Sequence, residues 1–230
     1  MIPITNGLVI VNNFPLQLSV YITKKQVFLT LAQRRITANK SIYIQQTMNT
    51  DQQYDTAIEQ CRDIFLKKTK DYGTSWRVYR TISIVDQIYI KAKRIRTIQE
   101  KRQQRIGDDI ISEFIGILNY SIIGLIQLDL QTNEIEELPV DAVENLYNEK
   151  VSIAKKLMED KNHDYGEAWR DMSQESFTDL ILAKLLRIKK ILENEGQTIM
   201  SEGIDSNYYD IINYAAFALI LVEEGKHFAE

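Results

Sequence analysis

Apolar residues recur at helical spacing along most of the chain beyond residue 48. Within 83–104 they fall at 84, 85, 88, 90, 95 and 98, mixed with charged residues at helical spacing. Segments 117–126 and 211–222 are apolar on nearly every side, the pattern of helices sunk in a core. The same spacing predicts six helices: 51–69, 83–104 and 109–129, then 141–160, 176–194 and 204–223. Asn49-Thr50-Asp51 offers capping residues for the first. Asp141-x-x-Glu144, just after Pro139, is a capped start for the fourth. The longest apolar stretch, Ala215 to Val222, falls short of the ~18 residues a membrane span needs, so no membrane partner is expected.

The helices come in two sets because the chain repeats itself. Residues 71–77 read Asp-Tyr-Gly-Thr-Ser-Trp-Arg and residues 164–170 read Asp-Tyr-Gly-Glu-Ala-Trp-Arg, 93 positions apart. At that offset Ser83 meets Ser176, Asp86 meets Asp179, Lys91 meets Lys184 and Arg94 meets Arg187. After a one-residue shift, Asn119 and Tyr120 meet Asn213 and Tyr214, and Gly116 meets Asp210. Both tryptophans of the chain, Trp76 and Trp169, stand at one motif position. The expected fold is therefore all-α: a helical bundle of two tandem three-helix repeats, 48–130 and 141–230, joined by a linker at 131–140 and related by a pseudo-two-fold axis.

Composition changes this picture at one end. Residues 1–47 hold no Asp or Glu and carry Lys24, Lys25, Arg34, Arg35 and Lys40, whereas the rest holds all 32 acidic residues against 23 basic ones. A targeting peptide, a nucleic-acid arm, or a stretch upstream of a true start at Met48 would each account for this, and the start at Met48 accounts for it best because helical patterning begins there. The net charge of -4 gives no strong nucleic-acid signal. One cysteine, Cys61, excludes an internal disulfide and fits a cytoplasmic protein, with the thiol packed in an apolar pattern.

Candidate chemistry gathers around the repeat. Asp71, Tyr72 and Gly73, with Asp164, Tyr165 and Gly166, read either as helix stops at glycine or as a binding edge. Trp76 and Trp169 either plug the core or offer a face to a base, with Tyr165 beside them. Arg77 and Arg170 could hold a phosphate. Lys91 with Arg94, and Lys184 with Arg187, are three apart on one helix side, which suits a phosphate clamp or a solvated face. Ser83-x-x-Asp86 and Ser176-x-x-Asp179 read as capping boxes. His163 is a polar position beside the motif, and His227 is terminal. In the last helix Asp210, Asn213 and Tyr214 share a face. An aspartate in so apolar a helix calls for a partner, either Lys184 or Arg187, or a metal. Glu202, Asp205 and Asp210 could supply a magnesium site, with Asp108, Asp109 and Glu113 the acids upstream in the first copy. If Asp210 is catalytic, Gly116 makes the first copy degenerate and leaves the second copy as the active one.

Residues 161–170 and 201–215 resemble the nucleotide-modification-associated helical domain family, first type, long labelled as of unknown function. The two-copy layout is similar to its bacterial form, and the likeness covers about 50–224. It implies a role in nucleotide metabolism or nucleotide modification. Glu202, Asp205, Asp210 and Asn213 bear a weaker resemblance to MazG-type all-helical nucleoside triphosphate pyrophosphohydrolases, with Asp179 and Lys184 where those enzymes carry a Glu-x-x-Glu pair. That likeness implies magnesium-dependent cleavage, with Asp210, Asp205 and Glu202 on the metal, Lys184, Arg187 and Arg170 on phosphate, and Tyr165 and Trp169 on the base. A binding module for a nucleotide or modified base, and a structural helical partner, are the alternatives. The partners expected are a nucleotide or modified nucleotide and a second copy of the chain, a homo-oligomer.

Overall fold

A computed structural model describes residues 48–102, 109–130, 137–200 and 202–226. The segment 1–47, Asp108, His227 and residues 131–136 of the linker lie outside the described residues.

Among the described residues six α-helices form, three in each copy: α1 (Thr50–Tyr72), α2 (Thr81–Lys101), α3 (Ile110–Leu130), α4 (Val140–Tyr165), α5 (Gln174–Glu193) and α6 (Ile204–Glu223). A single 3-10 turn, Ser75–Val78 or Ala168–Asp171, follows the first helix of each copy. Asn49 opens α1 with a capping box, accepting from the Gln52 amide at 2.9 Å while the Gln52 side chain accepts from the Asn49 amide at 3.2 Å. Ser173 caps α5. Ser83 and Asp86 lie inside α2 rather than at its start, so they close no capping box there.

α1 and α4 run on through the Asp-Tyr of the motif and stop at Gly73 (φ 61°, ψ -152°) and Gly166 (φ 62°, ψ -160°). Both glycines occupy a backbone region that side chains essentially forbid. The chain turns there, and the 3-10 turn carries the tryptophan into the core.

The helices stack as three pairs, each pair taking one member from each copy: α3 with α6 at the centre, α2 with α5 on one side and α1 with α4 on the other. Gly124 lets α3 approach α6, since a Cβ there would sit 2.6 Å from Cζ of Tyr208. By length and composition Ile110–Leu130 could cross a membrane although polar residues interrupt its apolar run, but 67% of its apolar window is buried inside the bundle.

Polar contacts repeat across the pseudo-two-fold. Asn119 of α3 donates to the Cys61 carbonyl at 3.0 Å and accepts from the Tyr147 hydroxyl at 2.9 Å. Asn213 of α6 donates to the Ala154 carbonyl at 3.1 Å and accepts from the Tyr54 hydroxyl at 2.7 Å. Each asparagine thus ties its own copy's first helix to the other copy's first helix. Arg62 with Asn148 repeats as Lys155 with Asp55, and Arg96 with Asp179 repeats as Lys189 with Asp86. The two aspartates read as caps are therefore ends of ion pairs between copies.

Candidate functional site

In the first copy the end of α1, the 3-10 turn and the facing walls of α2 and α3 enclose a cavity of about 310 Å³. Lys68 and the exposed Tyr72 reach it from α1, Trp76 and Tyr79 from the turn, Lys91 from α2, and Gly116, Asn119 and Tyr120 from α3. The position of each follows from local structure. The positive φ of Gly73 reverses the chain so that Trp76, 7% exposed, returns against α3. The Tyr79 and Tyr120 rings sit 6.4 Å apart at 41°. Burial, then the neighbouring Tyr79, pushes the Tyr120 hydroxyl above its ordinary range, so it stays a neutral hydrogen-bonding group.

Gly116 shapes the floor. The Lys91 stem crosses it so closely that a Cβ would lie 2.7 Å from Lys91 Cε. Lys91 then reaches Glu113 at 3.2 Å, and Arg94 pairs with the same carboxylate. Among the described residues Lys68 makes no ion pair. The buried indole N–H of Trp76 has no hydrogen-bond partner.

The second copy builds the equivalent place differently. Asp210 stands where Gly116 does, and its Oδ1 meets Lys161 Nζ at 2.5 Å while Oδ2 pairs with Lys184 Nζ. Lys161 and Lys184 are the counterparts of Lys68 and Lys91. Burial pushes the Asp210 carboxyl up, but the two lysines outweigh it and hold it below the usual carboxylate range. Phe217 takes the place of Ile123 and stacks on Trp169 at 4.2 Å and 6°.

The motif arginines serve the frame. Arg77 donates to Gln127, whose amide donates back to the carbonyls of Arg77 and Tyr79 at 3.0 Å each. Arg170 reaches Glu224 at 3.0 Å and both Thr50 and Gln53 at 2.6 Å, and lies 4.4 Å over the Trp169 ring. With Phe217 and Arg170 both on Trp169, that ring is a core element and not a platform for a base. Asp71, Asp164 and Tyr165 are exposed, and Asp164 meets His163 at 3.2 Å. Asn119 and Asn213 hold the inter-copy bridges, and Asn119 also borders the first cavity. Tyr214 is half-buried, with Asp210 and Lys161 acting on its hydroxyl.

The proposed acidic set does not converge. Among the described residues no three His, Cys, Asp or Glu side chains gather as a metal site. Both Asp210 oxygens are held by lysines. Glu202 acts on the same Lys161 and Tyr214 as Asp210, but Asp205 acts on Tyr209 instead. Asp205 and Asp210 are five residues apart, which turns them onto different sides of the helix. The set therefore does not fit magnesium. Arg187 and Glu202 line a cleft of their own with the 197–200 loop, and both also act on Tyr214 beside Asp210.

Sequence patterning singled out Lys91, Gly116 and Asn119 but passed over Lys68 and Lys161, and over Tyr54 and Tyr147. All four match at the 93-residue offset, which is the signal that could have found them.

The sequence pattern of the family described as nucleotide modification associated domain 1 matches residues 68–128 and again 161–222. Each match begins at or just before the motif and runs to the end of the third helix. No curated protein and no solved structure matches the chain, so the weaker likeness to MazG-type enzymes rests on the sequence motifs alone.

Proposed function

Because the chain belongs to the nucleotide modification associated domain 1 family, we propose that it binds a nucleotide in the cavity of its first copy. The observation that carries this reading is the composition of that cavity: aromatic residues, an asparagine and two lysines, one of them crossing a glycine. Ligand cavities run to about 300–1,000 Å³ and combine apolar walls with a few convergent polar groups. Tyr72, Tyr79 and Tyr120 offer ring surface for a base. Lys68 and Lys91 offer donors to phosphate, and Lys91 can keep Glu113 while giving another of its three donors to a ligand.

The test is a thermal-shift and calorimetric panel of canonical and modified nucleosides and nucleoside mono-, di- and triphosphates. At least one nucleotide should raise the melting temperature, and Lys68→Gln should weaken its binding about tenfold or more while leaving the ligand-free protein as stable as before. A panel in which no nucleotide binds would refute the reading. The same panel with magnesium asks the separate question of hydrolysis. Release of pyrophosphate, or of phosphate from any member, would add an enzymatic activity to the binding.

A further inference from the structure

We propose that the second copy is a self-occupied form of the same site, in which the Asp210 carboxylate takes the place that a ligand's phosphate takes in the first. This rests on the nucleotide-binding reading and says where the anion sits: between Lys68 and Lys91, above Gly116.

The argument begins with register. Three positions correspond between copies: Lys68 with Lys161, Lys91 with Lys184, and Gly116 with Asp210. In the second copy the three form one ion cluster, one carboxylate oxygen to each ammonium group. In the first copy both lysines line the cavity and the acid is missing, replaced by a residue without a side chain. Two cations thus keep the same helical register, with glycine in place of the acid that joins their counterparts in the second copy.

Charge supports the same conclusion. Lys91 and Arg94 share the Glu113 carboxylate, while Lys68 makes no ion pair among the described residues, so the first site presents a lysine that has yet to meet an anion. A phosphate monoester carries about -1.5 to -2 at pH 7 and could accept from both lysines. Asn207 occupies the place of Glu113 in the second copy, so the acid there has moved one helical turn, from beside the lysine to between the two lysines.

Size narrows the ligand class. A cavity of about 310 Å³ is at the small end for ligand sites. A compact molecule with one terminal phosphate, a nucleoside monophosphate, matches that volume better than a triphosphate does.

The experiment uses Gly116→Asp and Gly116→Asn in the full chain. The neighbour of the new Cβ is the far end of a flexible lysine, so both variants can be accommodated. Gly116→Asp should remain folded and lose nucleoside monophosphate and inorganic phosphate binding by about tenfold to a hundredfold, while the neutral, equally large Asn loses several-fold less. Equal losses in the two variants, or no loss in Gly116→Asp, would overturn the proposal while leaving nucleotide binding intact. Phosphate bound by wild type, lost in Gly116→Asp, with nucleosides adding nothing, would support the anion site and refute the nucleotide. Asp210→Gly with Phe217→Ile gives the converse measurement: binding stoichiometry should rise from one to two per chain, and a value fixed at one in a folded variant counts against the proposal.

Discussion

Tyr54→Phe removes one hydroxyl from the bundle and nothing else. Tyr54 is fully buried, and its hydroxyl donates to Asn213 Oδ1, which is on a residue 4% exposed. Phenylalanine fills the same volume, so the loss is that of a hydrogen bond and not of packing. An acceptor left buried without its donor costs about 1–3 kcal/mol. For a chain of this size that lowers the melting temperature by roughly 2–12 °C. The twin variant, Tyr147→Phe, strips the equivalent hydrogen bond from Asn119. Asn119 borders the cavity, so water can replace the lost donor. The second variant should therefore fall at the low end of that range and the first at the high end. Urea unfolding with an unchanged m-value is the assay. A cost below about 0.5 kcal/mol for Tyr54→Phe would refute the claim that these hydrogen bonds brace the copies. A larger cost for Tyr147→Phe than for Tyr54→Phe would refute the role given to the cavity.

Further expectations follow from the same geometry. Asp210→Ala leaves Lys184 buried without its counter-ion and should cost about 3 kcal/mol, the low end for a broken buried pair because Lys161 is half exposed and returns to water. The folded Asp210 carboxyl titrates below its unfolded value. Its contribution is therefore present above about pH 4 and lost as pH falls through the folded value, so an acid titration of stability should flatten in Asp210→Asn. Gly124→Ala places a methyl against the Tyr208 ring and should destabilise by about 1–3 kcal/mol in chemical denaturation. Gly73→Ala and Gly166→Ala each force alanine into glycine-only backbone at about 1–3 kcal/mol. Gly73→Ala should cost the more, because its Cβ also meets the Glu137 side chain while nothing lies near Gly166.

The bundle itself is legible in the sequence because it rests on periodicity. All six helices stand where apolar spacing puts them, and the two that are apolar all round are the central pair. The ends of α1 and α4 are less legible. Asp71-Tyr72 and Asp164-Tyr165 have no periodic signal of their own and are helical because the stop is the following glycine. Partnership across copies is invisible to local pattern. Nothing near Tyr54 in sequence announces Asn213, and only the fold brings them together. The candidate site shows both sides of this. The cost of an aspartate in an apolar helix points to a lysine or metal partner for Asp210, but that Lys161, 49 residues away, is such a partner shows only in three dimensions. The exchange of Asp210 for Gly116 is plain in the sequence. Its sense is not, because a missing acid reads as lost chemistry until the cavity above the glycine is seen.

The reciprocal tyrosine–asparagine bridges also bear on how such a chain can diverge. They are the contacts that an isologous homodimer of single copies would make, each subunit lending a tyrosine to the other. In such a dimer one gene encodes both halves, so a Gly-to-Asp exchange would appear in both and close both cavities at once. Joining the halves in one polypeptide makes their association independent of concentration and lets each position mutate alone. Asp210 can then lock one half into a rigid brace while Gly116 keeps the other open, a division of labour that symmetry would forbid to two separate subunits.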